Sequence, residues 1–248
     1  MTNEEIRDRI RGSLIGGAIG DALGYLIEFE TGVKPRQVTR FKGDKGIVSD
    51  DTQMTLFTAC SLLWRETRWA DRGIAMLPPE AIYLGYLDWL STQQRVPRHW
   101  PISWIVSLPE LNVLRDPGMT CIEALASGKA GTFGEPINDS KGCGGIMRVA
   151  PIGLFITDEE WTGNFAARSC ALTHGHPLAI LSAYVLGLII HYARSGWAMH
   201  EAIRVAIHKM NEWKPEAYRD SRRLKINWDT EKAELTEILS KAIALAEG

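Results

Sequence analysis

The stretch Val48-Ser49-Asp50-Asp51-Thr52-Gln53-Met54 places two adjacent carboxylates between two hydroxyls, at the mouth of an apolar run. Two readings of it are compatible. Ser49 or Asp50 caps the helix that follows, where acidic side chains also suit the helix dipole. The same oxygens are hard ligands of the kind that hold Mg²⁺ or Ca²⁺. Adjacent negative charges repel, so burying both calls for a cation or a proton between them. Asp50, Met54, Phe57, Ser61 and Trp64 recur at helical steps. Asp50 therefore projects with the apolar anchors, towards the interior.

Upstream, residues 4–23 read as a helix, with Ile6, Ile10, Leu14, Gly17 and Asp21 on one stripe. Gly12, Gly16, Gly20 and Gly24 form a second row at steps of four. Such a row suggests close approach by another backbone or by a ligand. Glu28 follows Asp21 by seven residues, which would align the two if the helix continued past Gly24. The span Gly32 to Gly46 reads as a loop.

Downstream, Pro78-Pro79-Glu80 starts a helix expected to run to about Leu90. Residues 91–118 read as a long connection whose Trp100 and Trp104 are expected to cover the core. A short helix is expected over 119–127. Six glycines then fall within residues 128–145, ending in Lys141-Gly142-Cys143-Gly144-Gly145-Ile146-Met147-Arg148. A glycine-rich loop opening a helix suits an anion, and a surface turn is the alternative. The P-loop pattern is absent, and Met147 stands where a dinucleotide fingerprint needs glycine.

Thr173-His174-Gly175-His176-Pro177 precedes an apolar run, Leu178 to Ile190, too short to span a bilayer and read as a buried helix. Cys170, His174 and His176 match no strong zinc spacing. Either one histidine serves a site and the other the helix cap, or both are structural. From Glu201 onward, charges interleave with apolar residues as in solvated amphipathic helices. No strand-like alternation of useful length occurs, so the class is all-α, a single domain spanning 1–248.

The chain has 248 residues, 45% hydrophobic and 23% charged, with a net charge of -2. That balance gives no general attraction to nucleic acid or an anionic membrane. The four cysteines show no C-x-x-C pair, and the N-terminus is acidic and polar rather than a signal peptide. The expectation is a cytoplasmic protein with free thiols.

Four stretches together resemble the ADP-ribosylglycohydrolase family. They are Gly12-Ser-Leu-Ile-Gly-Gly-Ala-Ile-Gly-Asp-Ala-Leu-Gly24 with Glu28; Ser49-Asp-Asp-Thr-Gln-Met54; Lys141-Gly-Cys-Gly-Gly-Ile-Met-Arg-Val-Ala-Pro151; and Ala171-Leu-Thr-His-Gly-His-Pro177. The resemblance implies an all-α orthogonal bundle and a site with two Mg²⁺ ions. It implies cleavage of the bond between ADP-ribose and a protein side chain, usually arginine. Ser49, Asp50 and Asp51 match the family's first metal half-site. Glu28 and Asp51 are the implied catalytic carboxylates. Asp21, the loop Gly142, Cys143, Gly144, Gly145, Ile146 and Met147, and His174 are implied to hold the substrate, with the loop on its diphosphate.

The family's second metal half-site, Asp-x-Asp-Thr near the C-terminus, has no counterpart here, and Trp228-Asp229-Thr230 supplies a single Asp. On the resemblance, the domain is expected to be incomplete at its C-terminal side and to hold one metal or none. Exposed apolar helices are then expected to favour a second copy of the chain. A non-catalytic ADP-ribose-binding module is the alternative function.

Overall fold

A computed structural model describes residues 1–31, 37–215 and 228–247. The start of the Gly32–Gly46 loop and residues 216–227 of the charged C-terminal stretch lie outside them. Among the described residues the elements are helices and short 3-10 turns, with no strand. The helices are α1 (Asn3–Gly24), α2 (Asp50–Arg72), α3 (Pro78–Gln94), α4 (Met119–Ala126), α5 (Ala150–Phe155), α6 (Glu159–Ala171), α7 (Pro177–Arg194), α8 (Met199–Glu212) and α9 (Trp228–Glu247).

Helix α7 is the centre. It packs against α5, α6, α8 and α9, while α2 pairs with α3. Its Ile180, Leu181, Ala183, Tyr184, Val185 and Leu188 are buried in the main core. At 18 residues it runs longer than the apolar run predicted, and by length and composition it is apolar enough to cross a membrane. Here that surface is spent on other helices: 61% of it is buried inside the protein. Pro177 opens the helix and His176 caps it, Nδ1 accepting from the Leu178 N–H at 3.1 Å.

Two of the sequence expectations are corrected here. Trp100 and Trp104 do not cover the core; they are 79% and 68% exposed. The connection that carries them is held instead by buried Asp88, which accepts from the N–H groups of Ile102 and Ser103, both at 2.8 Å, and pairs with Arg98. Nor, among the described residues, does another part of the chain approach the glycine row of α1. A Cβ built at Gly12, Gly16, Gly20 or Gly24 meets nothing within 4 Å. Within α1 only Ala22 is buried. The helix is tied down near its ends, by Arg9 donating to the Ala193 carbonyl at 3.0 Å and by Asp21.

Candidate active site

Asp21 fixes the site's frame. Its carboxylate accepts from the Ser49 N–H at 3.0 Å, from the Thr52 N–H at 3.1 Å and from the Thr52 hydroxyl at 2.5 Å. These are free donors at the start of α2, so an acid on α1 satisfies the first turn of another helix. Ser49 is the N-cap of α2, its hydroxyl accepting from the Asp51 N–H at 3.2 Å. The capping reading of this stretch therefore holds, and it leaves the acids in place for chemistry.

The two adjacent carboxylates part company. Asp50 turns inward, 8% exposed, and accepts from the Gly118 N–H at 3.0 Å. Burial pushes its carboxyl up to about 6; the Gly118 hydrogen bond opposes that, and the charges of Asp51, Glu28 and Asp21 add to it. Asp51 faces the α1 side, accepting from the Ser49 hydroxyl at 3.3 Å. Its carboxyl is also raised, by burial and then by Asp21. Glu28 sits in a turn beyond the end of α1, as the break at Gly24 suggested. Burial raises its carboxyl, and the charges of Asp51, Asp21 and Asp116 add to that.

A cavity of about 100 Å³ lies between α1, α2 and the end of the glycine loop, lined by Gly17, Asp21, Asp51, Thr52, Thr55 and Met147 among others. Liquid water occupies about 30 Å³ per molecule, so this space suits a hydrated ion rather than a nucleotide. A larger apolar cavity of about 490 Å³ between α3 and α6 is lined by none of these carboxylates, so size alone does not locate the site. The donor set is all oxygen, which suits Mg²⁺, an ion commonly held by one or two carboxylates plus water and substrate. Among the described residues, no group of three His, Cys, Asp or Glu side chains is placed to hold a metal.

The glycine loop closes the other side. Cys143–Gly145 form a 3-10 turn, with the Ile146 and Met147 N–H groups donating to the Cys143 carbonyl at 2.9 and 3.1 Å. Those two donors are thus committed within the loop. The Thr55 hydroxyl donates to the Met147 carbonyl at 3.2 Å, joining the loop to α2. Cys143 is exposed as a residue, but the loop partly covers its thiol, and that partial burial, then the charge of Asp51, raises it. His174 is 1% exposed and packs under the glycines: a Cβ built at Gly144 falls 3.0 Å from its Cε1. Of the two histidines, His174 thus lies under the glycine loop and His176 caps α7.

Sequence reasoning missed several supports. Asn138 clamps the loop, donating to the Thr173 carbonyl at 2.8 Å while its Oδ1 accepts from the Ser140 and Gly175 N–H groups, both at 3.1 Å. Only its two-residue reach to Ser140, an Asx turn, was visible locally. Asp116 holds a left-handed φ of 47° and accepts from the Tyr25 hydroxyl, fastening the Glu28 turn. The Asp116-Pro117-Gly118 sequence is its one local signal. Arg148, fully buried beneath the loop, carries no local signal beyond its place at the loop's end.

The chain is similar to the ADP-ribosyl-[dinitrogen reductase] glycohydrolase of Rhodospirillum rubrum, 27% identical over 243 residues, covering 88% of this chain and 70% of that protein. A sequence model of the ADP-ribosylglycohydrolase family matches residues 2–247. The chain therefore belongs to the ADP-ribosylglycohydrolase family, a family of glycosidic-bond hydrolases that remove ADP-ribose.

Proposed function

We propose that this protein is a Mg²⁺-dependent hydrolase that releases ADP-ribose from modified arginine side chains of proteins. The observation that carries the reading is the gathering of Asp21, Asp51 and Met147 around one small cavity, with Glu28 feeling the charge of both acids. On the family match Ser49, Asp50 and Asp51 would hold Mg²⁺, and of the three Asp51 is the one that lines the cavity. Bound there, the ion would supply positive charge to orient ribose hydroxyls and a water molecule. It would also offset the burial, and then the neighbouring charges of Asp51, Glu28 and Asp21, that raise the Asp50 carboxyl.

The remaining chemistry falls to the chain's own side chains. Departure from the ribose C1 builds oxocarbenium-like positive charge, which a carboxylate beside it stabilises. Glu28, its carboxyl raised by partial burial and by the charges of Asp51, Asp21 and Asp116, is suited to accept a proton from the attacking water. The glycine loop and His174 anchor the distal part of ADP-ribose, so remote binding energy positions the scissile bond. Four unpaired cysteines support a cytoplasmic setting, and the exposed Ile15 and Ile19 of α1 support self-association with a second copy.

An ADP-ribosyl-arginine peptide tests the reading. Turnover is expected with Mg²⁺, is expected to stop with EDTA, and is expected to fall at least about 100-fold in Glu28→Gln, the size of a lost acid–base group. ADP-ribose binding with no turnover, unaffected by EDTA, would replace it with a non-catalytic ADP-ribose-binding module.

A further inference from the structure

Arg148 is fully buried, yet among the described residues no carboxylate pairs with it. Its Nη2 donates to the Ser169 carbonyl at 3.2 Å and to the Thr173 hydroxyl at 2.6 Å. Its Nη1 reaches the sulfurs of Met54 at 3.4 Å and Cys121 at 3.5 Å, and the guanidinium lies 4.2 Å from the centre of the Tyr86 ring. Burying a charge without a counter-charge is costly, so this arginine is an expensive residue for packing alone.

The hydrogen bonds lead from it to the site. Arginine only donates, so Thr173 Oγ1 must be the acceptor of the 2.6 Å contact. Thr173 Oγ1 then lies 2.8 Å from His174 Nδ1. An oxygen already facing a cation is best satisfied by donating its own proton onward, to a lone pair on Nδ1. The opposite arrangement would aim an N–H dipole at the guanidinium. With Nδ1 as acceptor, a neutral imidazole carries its proton on Nε2. Burial and the charge of Arg148 both hold the ring neutral, pushing it down to about 4. Nε2 faces the glycine loop, 3.2 Å from a Cβ built at Gly144 and 3.6 Å from one at Gly142. It makes no hydrogen bond among the described residues.

We propose that Arg148 and Thr173 are positioning residues that lock His174 as the neutral Nε2–H tautomer, presenting that N–H as a fixed donor to a ligand oxygen held against the glycine loop. The ligand part rests on the ADP-ribose reading above; the tautomer does not. Thr173 carries the test, because deleting buried Arg148 endangers the fold. In ¹⁵N-histidine-labelled protein at pH 7 without ligand, with the signal assigned through His174→Gln, His174 is expected to show an unprotonated Nδ1 and a protonated Nε2. Thr173→Val, which keeps the shape and removes the hydroxyl, is expected to populate the Nδ1–H tautomer. It is also expected to weaken ADP-ribose binding about tenfold, the loss of roughly one hydrogen bond to a charged group. Thr173→Ser is expected to keep both properties. A wild-type His174 with a protonated Nδ1, or a Thr173→Val spectrum identical to wild type, overturns the relay. A switched tautomer with unchanged ADP-ribose affinity overturns the use of the donor. A wild-type protein that ignores ADP-ribose sinks the functional reading instead, and the spectra alone then decide the relay.

Discussion

Two sets of glycines divide this molecule into unlike halves. Along α1, Gly12, Gly16, Gly20 and Gly24 face open space. Around α6 and α7 the glycines are crushed against their neighbours. A Cβ built at Gly145 would fall 2.3 Å from Cys170 Sγ, one at Gly163 2.5 Å from the Tyr184 ring, and one at Gly187 2.6 Å from Ala166 Cβ. The packed half holds His174 and the glycine loop in one geometry. The open half contributes Asp21 and, just beyond the end of α1, Glu28. Identical residue types at similar spacing therefore serve opposite purposes, and what sits opposite them decides which.

The packed half should break first. At Gly175 a Cβ would sit 2.0 Å from the Asn138 carbonyl oxygen and 2.6 Å from Pro136 Cβ. Backbone cannot swing aside as a long side chain can. Gly175→Ala is expected to cost about 3 kcal/mol, the upper part of the overpacking range, read from urea midpoints at constant m. A cost under about 1 kcal/mol would mean that the loop around Asn138 yields, and the contrast between the halves would lose its basis.

Asp50, where the two halves meet, should give the next largest effect, with the opposite sign. Its carboxyl is raised to about 6, so the folded protein keeps a proton that the unfolded chain has released. Between about pH 4 and 6 this group makes stability fall as pH rises, and above 6 its full cost is present. Asp50→Asn is therefore expected to stabilise the metal-free protein by about 2 kcal/mol at pH 8 and to change little below pH 4. The same variant is expected to lose any stabilisation by Mg²⁺. Urea titrations across pH, in EDTA and in Mg²⁺, read both effects. Equal stability of the two proteins at pH 8 would show that the Asp50 charge is already compensated within the fold.

Much of this was legible in the sequence, for reasons that differ by residue. The inward turn of Asp50 followed from helical periodicity, because its stripe partners Met54 and Phe57 are both buried. That a helix starts at Pro177 followed from the proline itself, but which of His174 and His176 caps it did not. The role of Asp21 was half visible. Its inward face could be read, but its partners Ser49 and Thr52 lie about thirty residues on, across a loop with no periodicity. Gly118, which holds Asp50, and Asp116, which holds the Glu28 turn, come from a connection whose path no local pattern fixes. Trp100 and Trp104 show the limit of assigning burial by residue type, since a large apolar side chain is often, not always, inside.

The smallest expected effect tests the open half. A helical glycine with nothing near its Cβ position loses more backbone entropy on folding than alanine would and gains nothing in return. Gly16→Ala and Gly20→Ala are each expected to stabilise the protein by about 0.5–1 kcal/mol, additively, with Mg²⁺ response and turnover unchanged. The neighbouring Ile15 and Ile19, 59% and 46% exposed, make the test sharper. If a second copy of the chain covers this face in solution, the added methyl groups will meet it. The alanine variants will then be destabilised in proportion to protein concentration, and sedimentation will show the larger species shifting towards monomer. Stabilisation independent of concentration means that the face is open in solution as well, and that the glycines of α1 cost the fold stability rather than serving its packing.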